Sequence, residues 1–237
     1  MQHSDLKPLK SKVKKIVHLL EREYGIPRRK RGGDPLDILI QTILSQNTND
    51  RNRDRAYERL RTRFPHWEGV LRAKTEAVVS AIRPGGLAKQ KAGHIRNLLR
   101  WIKRHYGNLS LSSLQGMDSE EIKRRIGGLK GVGPKTVHCF LLFGIGREAF
   151  PVDTHILRVG NRLGFIPEGM GAEEAHRWMV PLVPKGKSLS FHLNLIRFGR
   201  EICKAKNPQC ENCFLGNECI YFSPCLRQAG LPLPLDE

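Results

Sequence analysis

A chain of 237 residues, 39% of them hydrophobic and 27% charged, is sized for one large domain or two smaller ones, and no apolar run approaches the ~20 residues of a membrane-spanning helix. The N-terminus carries no secretory apolar core, so the expectation is an intracellular protein: cytoplasm or nucleoid in a prokaryote, nucleus in a eukaryote. Lys and Arg number 41 against 23 Asp and Glu, a formal +18, and a field of that sign attracts polyanions, nucleic acid first and an anionic membrane second.

The pattern is helical almost everywhere. Val13, Ile16, Val17, Leu20 and Tyr24 recur at helical spacing until Gly25-Ile-Pro ends the run. Arg28–Arg31 forms a local basic peak that reads equally as a linker or a targeting signal. Asp34-Pro35 is an N-cap with proline at the first helical position, opening the apolar L-D-I-L-I-Q-T-I-L-S, which predicts a central buried helix. Asn47-Thr48-Asn49-Asp50 caps the next helix, with Ala56, Leu60 and Phe64 on its apolar side. Further helices are predicted at 75–82, 88–105, 118–126, 134–145, 154–163, 172–182 and 188–202, separated by breakers such as Pro84-Gly85-Gly86, Gly107 and Pro151. Strand alternation is nowhere convincing, and the fold class is all-α. The stretch after Cys225, residues 226–237, reads as an irregular tail.

The stretch L-K-G-V-G-P-K-T, residues 129–136, resembles a phosphate-binding loop only superficially, because Pro134 separates Gly133 from Lys135 and the preceding segment is helical. Two helices joined by G-V-G form a tight hairpin instead. Its free amides and the following helix N-terminus make an anion site sized for one phosphate, suited to DNA backbone without reading sequence. The plain alternative is an ordinary αα-hairpin turn.

Four of the six cysteines, Cys203, Cys210, Cys213 and Cys219, fall in one short stretch as C-x6-C-x2-C-x5-C. A disulfide framework is disfavoured in a long intracellular chain. Four thiolates suit tetrahedral zinc or a [4Fe–4S] cluster, and spacing alone does not choose between them. Cys139 lies in an apolar run and reads as core.

The hairpin, followed by P-V-D-T-H-I-L-R-V at 151–159, resembles the helix–hairpin–helix DNA glycosylases, and the arrangement is most similar to their endonuclease III branch, from about residue 35 to 220. The cysteine run matches that branch's cluster loop gap for gap, including Gly199-Arg200 ahead of Cys203, and so implies [4Fe–4S] on Cys203, Cys210, Cys213 and Cys219. The implied fold is two-lobed: a helical barrel at 28–147 ending in the hairpin, and a cluster domain made of 1–27 and 148–225. The resemblance makes Lys135 the Schiff-base nucleophile and Asp153 the catalytic carboxylate, facing one another across a cleft, with His155 structural. Gly131, Gly133 and Thr136 of the hairpin and Lys204 and Lys206 of the cluster loop would meet DNA phosphates.

At I-L-S-Q-N-T-N-D, residues 43–50, the family places a glutamine that fills the space left by the flipped nucleotide. This chain has Asn47 at that position and Gln46 one earlier, and either could serve. The implied activity is a bifunctional DNA glycosylase and AP lyase of base excision repair, a monomer acting on double-stranded DNA with a damaged base or abasic site. Oxidised pyrimidines are the family default. The alternatives are a monofunctional mismatch or purine-lesion glycosylase, a non-catalytic damage-binding protein, and a zinc-ribbon adaptor.

Overall fold

The computed structural model describes residues 6–28 and 33–222. Arg29, Lys30 and Arg31 of the basic run, Cys225 and the tail at 226–237 lie outside the described residues. Helices account for the regular structure, with no strand among the described residues, and no described helix is long and apolar enough to cross a membrane. The chain divides into two compact units, one of residues 1–29 and 148–237, the other of 30–147.

The 30–147 unit is built around α2 (Pro35–Leu44). Asp34 caps it by accepting the Leu36 N–H at 2.9 Å. Leu36, Leu39, Ile40, Ile43 and Leu44 are all fully buried, each such burial contributing about 1.5–3 kcal/mol. They pack against α3 (Asp50–Arg63), α6 (Ala88–Tyr106) and α8 (Pro134–Cys139). Asn49 caps α3 through the Asn52 N–H at 2.9 Å. Two short helices, α4 (Trp67–Arg72) and α5 (Thr75–Ile82), and a 3-10 turn at Arg83–Gly85 lead into α6, and α7 (Ser119–Ile126) leads into the hairpin. The helix expected over 134–145 widens after Cys139 into a π turn, Phe140–Gly144, closed by Ile145 N–H donating to the Phe140 carbonyl at 3.1 Å. The buried Phe140 ring sits so near Gly144 that an added Cβ would stand 3.0 Å from it, and the wider turn accommodates the ring.

In the other unit, α1 (Leu6–Tyr24) buries Val13, Ile16, Val17 and Leu20 and packs on α11 (Ser188–Glu201). With α9 (Thr154–Leu163) and α10 (Ala172–Met179), these helices enclose a core that includes Phe150, Phe165, Phe191 and Phe198. Polar ties across the sequence hold α1 in place. Glu21 accepts from Lys187 Nζ at 2.8 Å and from Ser190 Oγ, and Asn194 Nδ2 donates to the Gly25 carbonyl at 3.0 Å. The helix predicted to run to 182 stops at Met179.

Candidate functional site

Gly131, at φ +89, turns the hairpin; a Cβ there would lie 2.3 Å from the His94 ring, so no larger residue fits. Gly133 is extended and exposed, with nothing within 4 Å of an added Cβ, which leaves its backbone approachable from outside. Pro134 begins α8, and Lys135 follows on its first turn, exposed. Thr136 is buried with its hydroxyl 3.4 Å from Gln46 Nε2, so that side chain faces inward rather than toward a phosphate.

Gln46 and Asn47, interchangeable on sequence grounds, differ in the structure. The Gln46 amide donates to the Gly131 carbonyl at 2.9 Å and ties the α2–α3 loop to the hairpin. Asn47 is exposed and left-handed at φ 50. Leu87, just ahead of α6, is also left-handed, at φ 46, and is 51% exposed, a feature its residue type does not signal. Left-handed backbone is costly for a branched apolar side chain, and such strain clusters at ligand-facing positions.

Beneath these loops lies α6. Lys91 is 1% exposed, and its ammonium donates to the carbonyls of Leu44 and Gly85, each at 2.7 Å. His94, one turn along, supports Gly131; its pKa is lowered by burial, with Lys130 adding to the effect.

In the unit of 1–29 and 148–237, Asp153 caps α9, accepting the Ile156 N–H at 2.9 Å. Two buried histidines fix the backbone leading to it. His176 Nε2 accepts the Val152 N–H at 3.1 Å, and His192 Nδ1 lies 2.9 Å from the Pro151 carbonyl. The first contact leaves the His176 proton on Nδ1, which donates to the Ala172 carbonyl; the second requires a protonated Nδ1 on His192 donating to Pro151. His155 is half-buried, its pKa lowered chiefly by burial, and its Nδ1 lies 3.2 Å from Arg158 Nη2.

The four cysteines line one cavity, together with Arg162 and Phe198 among others. Arg158 and Arg162, one turn apart on α9, hold the loop that carries them. Arg158 Nη2 donates to the carbonyls of Gly199 (2.8 Å) and Cys203 (2.9 Å). Arg162 Nη1 donates to the Lys204 carbonyl at 2.7 Å and lies 3.6 Å from Cys203 Sγ. Lys204 and Lys206 stay exposed on this anchored backbone. Burial raises the Cys203 thiol, partly offset by Arg162, and pushes Cys213 up to about 11. Such thiols ionise on meeting a metal and release protons as they bind. Among the described residues, no three or more His, Cys, Asp or Glu side chains are grouped to hold a metal ion. The four sulfur donors that line the cavity have the chemistry to hold a thiolate-bound metal centre.

The model of the HhH-GPD superfamily base excision DNA repair proteins matches residues 40–185. A proposed DNA glycosylase of Arabidopsis thaliana is 39% identical over 163 residues, 69% of this chain; the match spans only 55% of that relative's length. The endonuclease III of Thermotoga maritima is 35% identical over 209 residues, 87% of this chain and 93% of its own. A solved non-covalent complex of endonuclease III with DNA superposes with a TM-score of 0.77 at 26% identity, covering 92% of this chain and 98% of that one.

Proposed function

The chain belongs to the HhH-GPD superfamily of base excision DNA repair proteins, and from that premise we propose that it is a bifunctional DNA glycosylase and AP lyase acting on oxidised pyrimidines in duplex DNA, as a monomer. The observation that carries the lyase half is Lys135: a primary amine, exposed on the first turn of α8 directly after the hairpin. A monofunctional enzyme has no need of an amine there.

The hairpin amides around Gly131 and Gly133 hold a backbone phosphate, and Lys204 and Lys206 take others further along the strand. The target base leaves the stack. Asn47 and Leu87 fill the space, since the Gln46 amide is engaged with the hairpin. The Lys135 amine attacks C1′ as the C1′–N bond breaks and the base departs with the electron pair. Asp153 steadies the positive charge on the sugar and takes up the amine proton. Ring opening gives the Schiff base; loss of the C2′ proton then expels the 3′ phosphate. Cys203, Cys210, Cys213 and Cys219 would hold a [4Fe–4S] cluster, which when bound supplies iron–thiolate bonds closing the 203–219 loop.

Borohydride trapping on duplexes carrying thymine glycol, an abasic site, or a G·T or G·U mismatch tests this reading. A covalent adduct with wild type that is absent with Lys135→Gln is the expected result, and thymine glycol is the expected base lesion. No adduct on any duplex, the abasic one included, removes the lyase. Alkali-labile sites would then mark a monofunctional glycosylase, and their absence a binding protein.

A further inference from the structure

Lys91 is spent on neither solvent nor substrate. It is among the largest fully buried side chains of the described residues, and burial is the cause that lowers its pKa. A buried ammonium is expensive unless hydrogen bonds repay the lost hydration. The two carbonyls it meets are not arbitrary. Leu44 is the last residue of α2, where carbonyls lack intrahelical donors and the helix dipole is negative; Gly85 is the last residue of the 3-10 turn. Each stands at the root of a loop that carries an exposed left-handed residue, Asn47 on one and Leu87 on the other. The roots abut: a Cβ on Gly85 would lie 3.8 Å from the Leu44 carbonyl and 3.1 Å from Ala56 Cβ. A compact cation with three donors bridges both carbonyls at once.

We propose that Lys91 is a positioning residue: its ammonium, bonded to the Leu44 and Gly85 carbonyls, sets the spacing of the two loops that carry Asn47 and Leu87 into a duplex when a nucleotide is extruded. This rests on the proposed function for the duty of the two loops and adds the device that keeps them in register. An apolar residue at 91 would fill the space and leave two buried carbonyls unmet, so each loop would relax independently.

The test uses a duplex with a tetrahydrofuran abasic analogue opposite 2-aminopurine beside the same sequence undamaged, read by affinity and by 2-aminopurine fluorescence. Wild type, Lys91→Met and Lys91→Arg are compared at a temperature where all keep wild-type far-UV circular dichroism. In K91M the affinity ratio of analogue over undamaged duplex falls about tenfold, the loss of roughly one charge-assisted bond's selectivity, with a matching loss of fluorescence rise at saturation. Affinity for undamaged duplex stays within about twofold, and K91R, which keeps the donors, recovers part of the ratio. An unchanged ratio in K91M, or both affinities falling together, overturns the proposal. If K91M does not fold, Lys91→Gln replaces it with the same two readings. The analogue has no base to excise. A wild type that binds and unstacks it without excising any lesion removes the proposed activity and leaves Lys91 standing; a wild type with equal affinity for both duplexes overturns the role of Lys91.

Discussion

Asp153 has two duties that one substitution separates. Its carboxylate caps α9 through the Ile156 N–H, and the proposed chemistry asks it to answer positive charge on the sugar. Asparagine caps helices about as well as aspartate but carries no charge. Asp153→Asn should therefore leave the thermal midpoint nearly unchanged, a cost below about 1 kcal/mol. Single-turnover excision should fall by about 10²–10³-fold. A large drop in stability with intact chemistry would return Asp153 to a purely structural part. The fixed backbone ahead of it, held by His176 and His192, makes the comparison clean, because neither contact involves the Asp153 side chain.

At the level of elements, the hairpin meets α6 where Gly131 lies against the His94 ring. Gly131→Ala forces a Cβ to 2.3 Å from the His94 ring at a left-handed position, which should cost about 1–3 kcal/mol and weaken binding to undamaged duplex as the turn shifts. Denaturant melts with paired binding curves check this, and a stable, fully binding variant would show that the turn adapts. The same elements mark what the sequence could disclose. Helix α9 appears at the predicted 154–163 because Asp153 caps its start and the left-handed Gly164 ends it, and α5 appears at the predicted 75–82, where Pro84-Gly85 stops the run. Helix α4 leaves little trace in the sequence, being six residues long with Gly69 inside it. Lys91 looked like any lysine in a basic chain, since its partners lie 47 and 6 residues away. The strain at Leu87 is a backbone angle and leaves no trace in residue type. The hairpin glycines and the four spaced cysteines were plain from sequence because their chemistry is carried by residue identity and spacing. The choice between Gln46 and Asn47 was not, because it turns on one long-range hydrogen bond.

For the whole molecule, the formal +18 implies binding governed by counterion release. Each phosphate neutralised contributes about −0.9 to the slope of log affinity against log salt. Replacing Lys204 and Lys206 together by glutamine should flatten that slope by about 2, weakening all duplex sequences alike; an unchanged slope would place neither lysine on the backbone. The chain order has a consequence of its own. The 30–147 unit is continuous in sequence, so every partner in its core has left the ribosome once residue 147 has emerged. Helix α1, made long before α11, must wait for that helix, ending at Glu201, before Val13, Ile16, Val17 and Leu20 find their cover. During synthesis α1 thus carries an uncovered apolar stripe until α11 has been made, with Lys7, Lys10 and Lys14 exposed on its solvent side to oppose aggregation.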